Sequence, residues 1–64
     1  MNKGKIRRIE KICSNGKVIG VGGSYITLTY DEDNGMKMKE DKKAATLKGY
    51  EVRESFRMLT IEIV

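Results

Sequence analysis

A chain of 64 residues with 13 Lys and Arg against 9 Asp and Glu, net charge +4, is expected to be one small basic domain spanning 1–64. Its only cysteine, Cys13, excludes an intrachain disulfide, and the absence of histidine removes both the usual Cys/His zinc set and the commonest general base. No apolar run approaches the roughly 20 residues of a membrane helix, so no membrane partner is expected, and a lone thiol without a visible signal peptide suits the cytoplasm.

Residues 5–13 read two ways. Ile6, Ile9 and Ile12 recur every third position, as on one helix face. The segment is short, has no obvious cap, and runs into Asn15-Gly16, the dipeptide favoured in two-residue hairpin turns. With Val18, Ile19 and Val21 as the return strand, a hairpin with a twisted or bulged first strand is preferred. Gly20, Gly22 and Gly23 then permit a sharp bend. They do not open a helix with the Lys-Ser/Thr start of a phosphate loop, so they indicate no nucleotide site.

Tyr25 to Glu32 is the clearest strand: Ile26, Leu28 and Tyr30 share one face, Thr27, Thr29 and Asp31 the other. Asp33-Asn34-Gly35 supplies a turn, and the alternation of Met36-Lys37-Met38-Lys39-Glu40 predicts the second arm of a hairpin. Glu40 to Lys43 reads as a charged loop, and Ala44 to Leu47 as a short strand or a helical turn ended by Gly49. Tyr50 and Val52 face one side, Arg53-Glu54-Ser55 reads as a turn, and Phe56 to Val64 closes the chain as a strand. Leu59, Ile61 and Ile63 form its inner face, Thr60 and Glu62 its outer one. These elements predict a mainly-β fold: a small five-stranded SH3-like barrel of consecutive hairpins, with room for one short helix. So small a core also raises the prospect of a homodimer.

No catalytic or metal site is expected, no cofactor, and hence no enzyme. Cys13 lacks a partnering base and suits the core. Asp31, Glu32, Asp33 and Asn34 miss the ligand spacing of a calcium loop and are ordinary turn residues. Met36 and Met38 read as core filler before they read as wedges for a DNA minor groove.

Ile26-Thr27-Leu28-Thr29-Tyr30-Asp31-Glu32, followed by Gly35 and Lys37 and preceded by Val18, Val21 and Gly22, resembles the central hairpin of the archaeal seven-kilodalton chromatin proteins. That resemblance covers about a third of the chain and implies an SH3-like barrel lying across duplex DNA. Phe56 to Val64 departs from it, reading as a strand where that family closes with a helix. Gly4 to Ile12 with Gly16-Lys17-Val18 and Val21-Gly22-Gly23-Ser24 also resembles AbrB/MazE-type swapped-hairpin domains. Thr29-Tyr30-Asp31 stands where those carry a proline and a helix, and that likeness implies an intertwined dimer with Arg7, Arg8 and Lys11 on DNA.

Both resemblances lead to a basic surface for double-stranded DNA held mainly through phosphates, as in a chromatin-like protein or a transcriptional regulator. The candidate contacts are Lys3, Lys5, Arg7, Arg8, Lys11 and Lys17, with Lys42 and Lys43. The alternative is a small inhibitor or interaction module that takes a protein partner on an edge strand or an apolar patch, with residues 56–64 the first suspects.

Overall fold

The computed structural model describes residues 3–62. In chain order it has helix α1 (Lys3–Ile12), strands β1 (Lys17–Val21) and β2 (Tyr25–Thr29), helix α2 (Gly35–Leu47), and strands β3 (Glu51–Ser55) and β4 (Met58–Glu62). The strands form one antiparallel sheet in the order β1-β2-β4-β3. The expected five-stranded barrel does not form: four strands make an open sheet, and two helices cover one of its faces.

Strand phase follows the period-two pattern. Ile26 pairs with Ile61 and Leu28 with Leu59, and all four side chains are fully buried. Thr27 and Thr60 pair on the opposite face. Burying each such aliphatic side chain contributes about 1.5–3 kcal/mol. Ile9, Met38 and Ala45 from the helices, Cys13 just after α1 and Tyr30 just after β2 complete this core, with Ile6, Ile12, Val18, Tyr50 and Val52 packed at its margin. The other sheet face carries Tyr25, Thr27 and Thr29 beside Thr60, Glu62 and Arg53, and no helix lies over it among the described residues.

Residues 5–12 are helical, with Cys13 in the turn that follows, and the three-residue spacing of the isoleucines decides it: Ile9 is buried, with Ile6 and Ile12 half-buried on either side. Asn15-Gly16 therefore links α1 to β1 and is no hairpin turn. Glycine is required there because Tyr30 lies against it; a β-carbon on Gly16 would stand 2.6 Å from Tyr30 Cζ. β1 carries a bulge between Val18 and Gly20.

The second expected hairpin is the largest correction. Met36 to Glu40 is not a strand, nor are residues 40–43 a loop; all belong to α2, which continues through Ala44 to Leu47. From Met36 to Ala45 the segment contains no β-branched or aromatic residue, and Met, Lys, Glu and Ala all favour helix. Its end is a Schellman motif. Gly49 adopts φ +91°, its N–H donates to Thr46 O at 3.0 Å, and Tyr50 N–H donates to Ala45 O at 3.1 Å. α2 packs on β3 and β4, and α1 packs beside α2.

Arg53-Glu54-Ser55 belongs to β3, and the turn is Phe56-Arg57 instead. Arg57 takes φ +56°, a left-handed conformation that costs a non-glycine residue about 1–2 kcal/mol. Its carbonyl offsets this by accepting from Tyr30 N–H at 2.8 Å and Thr29 Oγ1 at 3.3 Å. β4 lies between β2 and β3, so the closing strand is central and not an edge; Ile63 and Val64 lie outside the described residues.

Candidate functional site

The two helices concentrate the positive charge. Lys3, Lys5, Arg7, Arg8 and Lys11 lie on α1, Lys37, Lys39, Lys42 and Lys43 on α2, and Lys48 at its C-cap; the same elements hold only Glu10, Glu40 and Asp41 as acids. Ten cations against three acids give the helical layer a formal charge of +7. The strands and loops hold Lys17, Arg53 and Arg57 against Asp31, Glu32, Asp33, Glu51, Glu54 and Glu62, a balance of −3. The modest net charge thus conceals two regions of opposite sign.

On α1, Ile6, Ile9 and Ile12 turn inward, which leaves Lys3, Arg7 and Lys11, four apart, along the outer side with Arg8 beside them. Lys3 to Lys11 spans about 12 Å at 1.5 Å per residue. Gly4 leaves a shallow depression of about 260 Å³ between Arg7, Arg8 and Lys11. Arg7, Arg8 and Lys11 form no ion pair with another described residue. Arg8 also borders a cleft of about 480 Å³, shared with Lys5, Lys48 and Tyr50, whose sheet end carries Glu51 and Glu62.

The structure sorts the eight candidate contacts. Lys3, Lys5, Arg7, Arg8 and Lys11 share α1, and Lys43 is exposed on the neighbouring helix. Lys42 is half-buried, turned to β3, where its Nζ lies 3.4 Å from Glu54 Oε1. Lys17 pairs with Thr29 and so stands on the far face of the sheet, away from the helices. Lys37, Lys39 and Lys48 join the helical layer without having been singled out by sequence; the signal was the unbroken run of helix-forming residues around them.

Beneath this layer lies a buried polar cluster. Asp41, 3% exposed, accepts from Tyr30 Oη at 2.7 Å, Asn15 Nδ2 at 2.8 Å and Asn15 N–H at 3.2 Å. Cys13 Sγ donates to the Asp41 carbonyl at 3.6 Å. The cluster ties the α1–β1 link and the end of β2 to α2, and so fixes how the two helices sit together. Every buried side-chain polar atom among the described residues has a partner. No group of three or more Asp, Glu, Cys or His among them is placed to hold a metal, and no described helix is long and apolar enough to cross a membrane.

Burial, then the nearby Asp41 charge, pushes the Cys13 thiol from 9.0 up to about 11. Burial and the Asp41 hydrogen bond push Tyr30 upward from 10.0 as well. Both shifts favour the neutral acid in the folded state. Their stabilisation is full below pH 9 and is lost as pH rises from 9.0 towards 11, because the unfolded thiol ionises first. Urea-unfolding midpoints should therefore fall between pH 9 and 11, and Cys13→Ala should flatten the first part of that fall. A midpoint independent of pH across this window would contradict the assignment.

No protein-family model matches the chain, and no curated protein or solved structure shows significant similarity to it.

Proposed function

We propose that this domain binds double-stranded nucleic acid, DNA first, through phosphate contacts made by the exposed side of its helical layer. The observation that carries this reading is the separation of charge: +7 on the helices against −3 elsewhere, with Arg7, Arg8 and Lys11 free of ion pairs to other described residues. A duplex carries one negative charge per ~1.7 Å of axis, and each neutralised phosphate releases counterions. A helix side with four cations over two turns suits such a lattice, and a major groove about 12 Å wide admits an α-helix. Contacts of this kind position a protein on the duplex without reading its sequence. This favours a chromatin-like or accessory role.

The domain acts here as a binder and not as a catalyst. Its buried carboxylate, Asp41, is fully engaged in holding the fold, and its one thiol is buried and pushed away from the thiolate. A single thiol fits a reducing compartment such as the cytoplasm.

The test is fluorescence anisotropy with a random-sequence DNA duplex across a salt series. Affinity should fall steeply with salt, by a log–log slope of about −0.9 per phosphate engaged. Absence of binding at low salt, or binding indifferent to salt, would overturn the reading.

A further inference from the structure

The β3–β4 turn, the 31–34 loop and the first turn of α2 form an end of the molecule with the opposite character. They enclose a recess of about 520 Å³ whose walls include Glu32, Met38, Glu54, Phe56 and Arg57. Met38 there belongs to the core, whereas Phe56 is 81% exposed, the most exposed of the large apolar side chains. The ring is held outward. The Arg57 guanidinium stacks 4.6 Å from its centroid and pairs with Glu32 Oε1 at 3.3 Å, while the Arg57 backbone is tied to β2 through Thr29 and Tyr30. Arg57 in the recess wall is already paired with Glu32, and Lys42 on α2 with Glu54; Lys37 stands exposed in the first turn of α2. Asp31 and Asp33, both exposed in the adjoining loop, form no ion pair with another described residue. The recess is therefore apolar inside, and Asp31, Glu32, Asp33 and Glu54 outnumber Arg57, Lys42 and Lys37 around it, which favours a basic partner over nucleic acid or anionic lipid.

We propose that this recess docks a basic segment of a partner protein. An apolar side chain of that segment seats against Phe56 and Met38, and flanking Lys or Arg residues meet Asp31, Glu32, Asp33 and Glu54. A rigid exposed aromatic beside a preformed hollow is the usual anchor of such an interface, and complementary charge around it sets orientation and partner choice.

The experiment titrates the ¹⁵N-labelled full chain with a synthetic amphipathic peptide of leucine and lysine and follows amide shifts. Shifts should be confined to residues 31–38 and 54–57. Phe56→Ala, at an exposed turn position that leaves the folded spectrum intact, should weaken binding by about tenfold or more. The same peptide with glutamate in place of lysine should produce no shifts. Lysine-peptide shifts centred elsewhere, undiminished binding by Phe56→Ala, or duplex DNA shifting Asp31, Glu32, Phe56 and Arg57 would each overturn the proposal. The recess contains no α1 residue, so its failure leaves the helical-layer reading standing, and loss of DNA binding by α1 variants leaves the recess untouched.

Discussion

Asp41→Ala is expected to destabilise the fold by about 2–4 kcal/mol, read as a fall in urea midpoint at constant slope. The cost arises because Asp41 is the common acceptor for donors from two other parts of the chain. Without it the Tyr30 hydroxyl, 2.7 Å from Oδ2 and buried, loses its acceptor in a place water does not reach. An unsatisfied buried donor alone costs about 1–3 kcal/mol, and the vacated volume adds to that. Asn15 is exposed and recovers part of its loss from solvent. A domain of this length has about 3–10 kcal/mol in total, so the variant should lose a large share of its margin and unfold at a clearly lower urea concentration. Asp41→Asn should be milder: the amide keeps one acceptor oxygen, and the tyrosine hydroxyl can rotate to accept from its nitrogen. The decisive comparison is a double-mutant cycle with Tyr30→Phe. Removing the hydroxyl removes the stranded donor, so the double variant should be less destabilised than the two single costs added together. Simple additivity would show that the contact at 2.7 Å does not couple the two residues.

The same aspartate explains why α2 was hard to see in the sequence. Its buried stripe is Met38, Asp41 and Ala45, the right spacing for a helix but with a carboxylate in the middle. A periodicity search reads that stripe as interrupted, whereas Met36-Lys37-Met38-Lys39 alternates cleanly over four residues and mimics a strand. Composition carried the better signal, since a run of Met, Lys, Glu and Ala outweighs a four-residue alternation. Strands β2 and β4 were legible because nothing polar interrupts Ile26 and Leu28 or Leu59 and Ile61, and their facing partners confirm the phase. In α1 the isoleucine spacing was present, but the adjacent Asn-Gly pulled the reading towards a hairpin. Gly16 owes its place to the Tyr30 ring, a contact between residues fourteen apart that local pattern cannot report. The basic cluster of residues 3–11 was visible as a charge count. Which lysines share its surface was not, because Lys17 and Lys43 differ only in which side of the sheet they occupy.

That difference supplies the sharper test of the interface. Neutralising Arg7, Arg8 and Lys11 together to glutamine should reduce the salt slope of duplex binding by about 2.7, and affinity at 50 mM salt by on the order of 1000-fold, at ~0.9 counterions per phosphate. Glutamine favours helix nearly as well as the residues it replaces, and all three side chains are exposed, so unfolding should not produce the loss. Lys17→Gln with Arg53→Gln removes two charges from the opposite sheet face, where the pairing of Lys17 with Thr29 and Arg53 with Thr60 places them. That variant should keep its affinity within about threefold at ~0.1–0.15 M salt, where charges turned away from the duplex beyond a Debye length of ~8–10 Å are largely screened. Equal losses from both variants would mean that duplex binding follows total charge alone, and the helical layer would lose its claim to the site. A large loss from the sheet-face variant with α1 neutralisation tolerated would move the interface to the open sheet. Only the ordered result, steep for α1 and shallow for the sheet, is explained by a phosphate surface built where α1 lies beside α2.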